Sequence, residues 1–344
     1  MNRGGGLGFL LVAVVVAAVV QIGTGSVVED QFSRLLGGRC VPSDIVSLTS
    51  IDCNDHNDHT MELLCIASIY EISSDQGYDQ AAGETYVDKL SKDKEWTTRQ
   101  KGSLTRCYSM VLDQVPADKE GAFVLACWHQ LLLSECNRKN MTTYVEVVDP
   151  ENAKELVEAV ADLAEGPCFD VGLKYADELG MKWEACARNK KLDMSFLQGA
   201  AHYYILFSQG QEIPDVTLEN NRKTMEQLDR LNETSLCYAE ATGEVQPNGE
   251  INYDLINEAT RNAIGPEQFK VVDRAFVDFC RGGNPGSIAE YYACFNREKP
   301  FACAVLKSYD IALGRQTPNG ASIITTTVAP ATAGFIASLI GSIF

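Results

Sequence analysis

Apolar positions recur at three- and four-residue intervals through most of the chain, the period of helices that bury one face. The densest stretch is Gly121 to Leu133. There Phe123, Val124, Leu125, Trp128, Leu131, Leu132 and Leu133 leave almost no polar face, so this helix belongs at the centre of a core. Phe269, Val272, Phe276 and Phe279 share one face of a helix leading into Cys280, and Gly265-Pro266-Glu267 is placed to start it. Leu104, Cys107, Tyr108 and Val111 repeat that pattern more weakly. Residues 28–40 and 156–168 each read as a helix stopped by glycine just before a cysteine, the second with Asp149 to cap it and Pro150 at its first turn. Asn248-Gly249 is a turn signal. Alternating strand runs are scarce, and Tyr144 to Val148 is the best candidate. The pattern predicts an all-α chain.

The cysteines divide that chain in two. Cys40, Cys53, Cys65, Cys107, Cys127 and Cys136 match Cys168, Cys186, Cys237, Cys280, Cys294 and Cys303 in order. Between the third and fourth of each set lie 41 and 42 residues, and between the fifth and sixth lie eight in both. Chance placement does not give this agreement, so the chain reads as one small disulfide-stapled unit used twice. The copies also share Gly83-Glu84 and Gly249-Glu250 ahead of a helical run. They differ between the second and third cysteines, where 11 residues become 50. The added segment, about 187–236, contains the aromatic run Phe196 to Phe207, which is either extra core or the wall of a ligand site.

Eight residues between two cysteines on one helix make nine steps of about 100°, so Cys127 and Cys136 face opposite sides, about 13.5 Å apart along the axis. They cannot bond each other, and each must reach a different neighbour. In the second copy Pro300 falls between Cys294 and Cys303 and is expected to kink or restart the helix.

The ends read differently. Residues 1–25 carry a basic start (Arg3), an apolar run from Leu7 to Val20 and small residues at Gly23-Thr24-Gly25, the pattern of a secretory signal peptide. Export puts an even cysteine count into an oxidising compartment, where disulfides form. Asn140-Met141-Thr142 and Asn232-Glu233-Thr234 are glycosylation acceptor sequences that fit export. Residues 313–344 form a low-complexity tail with an apolar end, either disordered or the signal for a glycolipid anchor. No transmembrane span is expected in the mature chain. The net charge of −18 argues against nucleic-acid and anionic-lipid partners.

No catalytic motif is present: no His-Glu-x-x-His, no Gly-x-Ser-x-Gly and no phosphate-binding glycine loop. No cofactor is implied. Asp52, Asp55, His56, Asp58 and His59 cluster near Cys53 with the spacing of no known metal site and read as a solvated acidic loop. His129 beside Trp128 reads as a core histidine whose protonation at low pH would loosen the cavity.

An exported helical unit with six cysteines and these spacings resembles the insect odorant-binding, or pheromone-binding, family. The Gly-Glu turn ahead of the helix into the fourth cysteine adds to the likeness. It is strongest from Cys237 to Cys280, through Pro247-Asn248-Gly249-Glu250-Ile251 and Val271 to Cys280. It covers about residues 28–136 and 156–310, and two copies in one chain resemble the family's tandem, atypical members. The resemblance implies two six-helix domains, at 26–140 and 150–312, with a linker at 141–149. It implies first-to-third, second-to-fifth and fourth-to-sixth bonds. In this chain those are Cys40–Cys65, Cys53–Cys127 and Cys107–Cys136, then Cys168–Cys237, Cys186–Cys294 and Cys280–Cys303. One departure stands: where the family places its second cysteine, four positions before the third, this chain has Met61 and Glu233. The implied function is a secreted, non-catalytic carrier of small hydrophobic ligands. Tyr108, Phe123, Trp128, Tyr203, Phe276 and Phe279 are candidate lining residues. The alternative is an extracellular interaction protein without a working cavity. A lipid hydrolase would need a catalytic pair that the sequence does not contain.

Overall fold

The computed structural model describes residues 59–74, 76–111, 115–166, 178–211, 213, 216–274, 278–283 and 285–314. The leader, the tail, Cys40, Cys53, Cys168, Phe276 and the acidic cluster up to Asp58 lie outside them. The described chain is mostly helical. Helix α1 (His59–Ile69) leads into a two-stranded antiparallel hairpin, β1 (Ser73–Ser74) and β2 (Gly77–Tyr78). Then come α2 (Gln80–Leu90), α3 (Lys94–Tyr108), α4 (Ala117–Glu146), α5 (Ala153–Glu165) and α6 (Glu178–Lys190). The chain continues through α7 (Met194–Ser208), α8 (Leu218–Thr242), α9 (Tyr253–Ile264), α10 (Pro266–Val272), α11 (Asp278–Gly282) and α12 (Ile288–Ala312).

The duplication is visible in backbone hydrogen bonds. Two residues after Cys65, Ala67 accepts from the Ile72 N–H at 2.7 Å; two after Cys237, Ala239 accepts from the Glu244 N–H at 2.9 Å. Ile72 in turn accepts from the Asp79 N–H, and Glu244 from the Asn252 N–H, both at 2.8 Å. Asp79 then caps α2 through the Ala82 N–H, and Asn252 caps α9 through the Leu255 N–H. Glu71 and Gly243, six residues past those cysteines, both turn left-handed, with φ of 56° and 86°. The extra residue of the second copy sits in the turn between Glu244 and Asn252, because both caps precede the next cysteine by the same interval. That turn holds Asn248-Gly249, with Gly249 at φ 86°.

The copies interlock. Helix α4 and its counterpart α12 pack against each other, with the Phe123 and Tyr309 rings 4.7 Å apart and Lys307 Nζ donating to Gln130 Oε1 at 3.0 Å. One hydrophobic core therefore draws on Leu63, Phe123 and Trp128 from the first copy and on Phe269, Tyr291 and Phe295 from the second. Among the described residues the two copies do not form separate cores. Within the first copy, Gly121 lets α1 and β1 pack closely on α4, since a Cβ there would lie 2.6 Å from the Ser73 Cβ and 3.2 Å from the Ala67 Cβ. Gly121→Val is expected to lower stability by about 2–3 kcal/mol in urea unfolding, as overpacking of a tight core does. An unchanged midpoint would show that α1 and β1 can move aside.

Several expectations need correction. The bonds are Cys107–Cys127, Cys186–Cys237 and Cys280–Cys294. Cys65, Cys136 and Cys303 are disulfide-bonded too. The fourth cysteine thus bonds the fifth in both copies, and the second bonds the third in the second copy. Cys53–Cys127, Cys107–Cys136, Cys168–Cys237, Cys186–Cys294 and Cys280–Cys303 are excluded; Cys40–Cys65 lies outside the described residues. The physical reason is local: Cys107 lies in the last turn of α3 and Cys127 in the first half of the next helix, so the turn between them brings their Cα atoms to 5.8 Å. The opposed faces of Cys127 and Cys136 do hold, each cysteine being bonded elsewhere.

The linker expected at 141–149 is helical to Glu146, and Met141 and Val145 are buried, so the strand expected over Tyr144 to Val148 is the last turn of α4 and the bend after it. Helix α5 starts at Ala153, later than Asp149-Pro150 suggested; Asp149 instead accepts from the Ala153 N–H through its carbonyl in the turn ahead. Pro300 lies inside an unbroken α12. Burial of both flanks, Phe301 and Phe295 included, holds the helix together across the missing hydrogen bond.

Candidate functional site

A second, smaller core lies beside the shared one. It gathers Met141 and Val145 of α4, Leu156, Val157 and Val160 of α5, Trp183 of α6, Leu197 and Tyr204 of α7, and Leu228, Leu231 and Tyr238 of α8. Cys186–Cys237 ties α6 to α8 across the whole insertion. By chain entropy a loop of this length contributes about 4 kcal/mol. The insertion folds by ordinary signals. Asp193 caps α7, its carboxylate accepting from the Phe196 N–H at 3.1 Å and the Ser195 hydroxyl at 2.7 Å. Those hydrogen bonds hold the carboxyl below its usual range. Thr217 caps α8 through the Asn220 N–H, and the Asp193 N–H donates to Gln227 Oε1 at 2.7 Å, joining the two helices.

This core does not close completely. A cavity of about 400 Å³ opens between α4, α5, α7 and α8. Met141, Val145, Leu156, Val157 and Val160 form one wall; Phe196, Gly199, Ala200, Tyr203 and Tyr204 form the facing one. Asn221 and Thr224, both 6 % exposed, supply polar groups at depth, and Tyr203, 42 % exposed, stands at the rim. Gly199 shapes it: a Cβ there would meet nothing within 4 Å.

A polar network braces the cavity from behind. Glu165 accepts from the Tyr204 hydroxyl at 2.6 Å, from Arg138 Nη2 at 2.6 Å and from the Ser134 hydroxyl at 2.7 Å. Arg138 also pairs with Asp162 at 2.8 Å. These bonds fix α5 and α7 on α4. Burial raises the Asp162 carboxyl to about 6, against the pull of Arg138. In the shared core, burial raises Glu244 to about 7, although it accepts from the Tyr292 hydroxyl. In the first copy the matching positions are apolar, Ile72 and Leu125.

Both carboxyls are raised by folding. Their stabilising share is therefore full below the unfolded values near 4 and is lost as pH rises through about 6 and 7. Each is worth on the order of 3 kcal/mol. The thermal midpoint is expected to be higher at pH 4.5 than at pH 7, and Glu244→Gln to raise it at pH 7 and narrow that difference. A midpoint that climbs steadily from pH 4.5 to 7 would contradict the burial of these charges.

The structure places the expected lining residues in different surroundings. Tyr203 lines the cavity. Phe123 and Trp128 are fully buried in the shared core, where Trp128 Nε1 donates to Gln100 Oε1 at 3.0 Å. Tyr108 lies at the surface against Tyr78. Phe276 and the Phe279 side chain are outside the described residues. His129 is buried beside Trp128. The run Phe196 to Phe207 is α7, and it meets both alternatives left open: Leu197 and Tyr204 are core, while Phe196, Ala200 and Tyr203 line the cavity. Met141 and Val145 were missed because the segment was read as a linker, yet their four-residue spacing continues the α4 pattern. Among the described residues no group of three or more His, Cys, Asp or Glu side chains could hold a metal, and no helix is long and apolar enough to cross a membrane.

No family model matches this chain, and neither does any characterised protein or solved structure.

Proposed function

We propose that this chain is an exported, non-catalytic binding protein that holds a small apolar ligand in the cavity between α4, α5, α7 and α8. The cavity carries the reading. Its size falls within the roughly 300–1,000 Å³ of small-molecule sites, its walls are mainly apolar, and it has a few polar groups at depth. The proposal does not rest on the odorant-binding resemblance, whose interleaved bonds this chain lacks. Export is supported by the leader pattern and by the absence of free cysteines among the described residues. Of the two acceptor sequences, Asn232 is exposed on α8 and is the better placed for a glycan; Asn140 is half-buried on α4.

Titration with N-phenyl-1-naphthylamine tests the reading. Saturable fluorescence enhancement near micromolar, about −8 kcal/mol, is expected. Enhancement that never saturates would favour the alternative, an extracellular interaction protein with no working cavity.

A further inference from the structure

The polar groups of this cavity also select the kind of ligand. No lining residue carries a carboxylate, an ammonium or a guanidinium. An ion carried into these walls would lose its hydration with no opposite charge in the lining to pair with it. Behind the deep end sits Asp149, 6 % exposed, its carboxylate accepting from Asn152 Nδ2 at 2.9 Å and from Asn221 Nδ2 at 3.3 Å. That carboxylate repels an anionic ligand further, and the Asn221 side chain stands between it and a cationic one.

The same bonds orient what remains. With its amide nitrogen turned to Asp149, Asn221 keeps its Oδ1 as an acceptor, and no hydrogen bond to that oxygen is present among the described residues. One turn along the same face, the Thr224 hydroxyl donates to the Asn220 carbonyl at 2.8 Å, so its oxygen also has lone pairs to accept with. The deep end therefore offers acceptors, and it is complemented by a ligand that donates. The α5 and α7 walls, through Val157, Val160 and Ala200, take hydrocarbon.

We infer that the ligand is an uncharged apolar molecule carrying one hydroxyl, an aliphatic alcohol or a phenol, seated with its O–H toward Asn221 and Thr224. This rests on the cavity being a binding site at all, and the test separates the two claims. N-phenyl-1-naphthylamine is bound to the full chain at pH 7 and displaced with 1-octanol, octanoate or octylamine. Octanol is expected to displace at concentrations at least about tenfold lower than either ion, in line with the cost of burying a charge. Thr224→Val should weaken octanol by about threefold to tenfold relative to the probe's own affinity in the same variant, the worth of one hydrogen bond. Octanoate or octylamine matching octanol, or Thr224→Val leaving octanol unaffected, would overturn the ligand class while the binding reading stands. Failure of the probe itself to bind would remove both.

Discussion

Lys299→Leu is expected to raise the stability of this protein by about 3–4 kcal/mol at pH 7. Lys299 is fully enclosed in α12, its Nζ makes no hydrogen bond among the described residues, and it lies over the face of Phe295, 5.3 Å from the ring centroid. Burial pushes its amine down to about 7, and the charge of Asp162 offsets this only in part. A lysine lowered this far from its ordinary value costs about 4 kcal/mol of folding free energy at neutral pH. The repeat identifies the replacement. Five residues past Cys294, Lys299 occupies the place that Leu132 fills five residues past Cys127, and Leu132 is buried as an apolar side chain. The sign for a lowered amine runs opposite to that for Glu244 and Asp162. The cost is full below pH 7 and fades as pH rises toward the unfolded value near 10.5. Stability of the native chain should therefore pass through a minimum near neutral pH, and the alkaline rise should vanish in Lys299→Leu. Urea unfolding from pH 4.5 to 10 reads both limbs. A destabilised Lys299→Leu protein would mean that the amine has a partner that lowers its energy.

Gly199→Phe is expected to abolish probe binding while leaving the fold intact. The residue faces the cavity from α7, and a side chain built there begins in open space. A phenyl group would occupy the volume that the ligand needs, and replacing a mid-helix glycine gains up to about 1 kcal/mol of helix propensity. Binding should fall by at least about a hundredfold, close to 3 kcal/mol. Gly199→Ala, too small to fill the space, should bind nearly as well as the native chain and unfold later. Binding that survives Gly199→Phe would move the site elsewhere.

The sequence made the duplication legible because six spaced cysteines and a glycine turn are local signals, and the backbone bonds around Ala67 and Ala239 show how strict the repeat is. Helix positions followed from apolar spacing, most clearly for α4 and α10. The disulfide pairing did not follow, since spacing constrains reach but not partner, and a pairing implied by resemblance replaced the local one that Cys107 and Cys127 adopt. The sharing of one core was hidden for a related reason. Phe123 and Tyr309 are each simply apolar in sequence, and nothing in either copy says that its deepest face will meet the other copy. The cavity was half legible. Phe196 to Phe207 stood out as an aromatic helix, but its partner wall lay in Met141 and Val145, where a polar flank disguised the end of α4 as a linker. Asn221 and Thr224 carried no signal, because a buried polar residue cannot be told from a surface one without knowing what covers it.

The position of the cavity also bears on how many ligands bind. Its α7 and α8 walls belong to the insertion between Cys186 and Cys237, and the first copy, with 11 residues between Cys53 and Cys65, has nothing equivalent to build them from. The most direct test is a crystal structure of the full chain soaked with 8-bromo-1-octanol, with the bromine located by its anomalous signal. The account predicts one bromine per chain, among Val157, Ala200 and the other walls of the cavity between α4, α5, α7 and α8. A bromine beside Trp128 in the shared core, one in each copy, or none at a saturating concentration would contradict it.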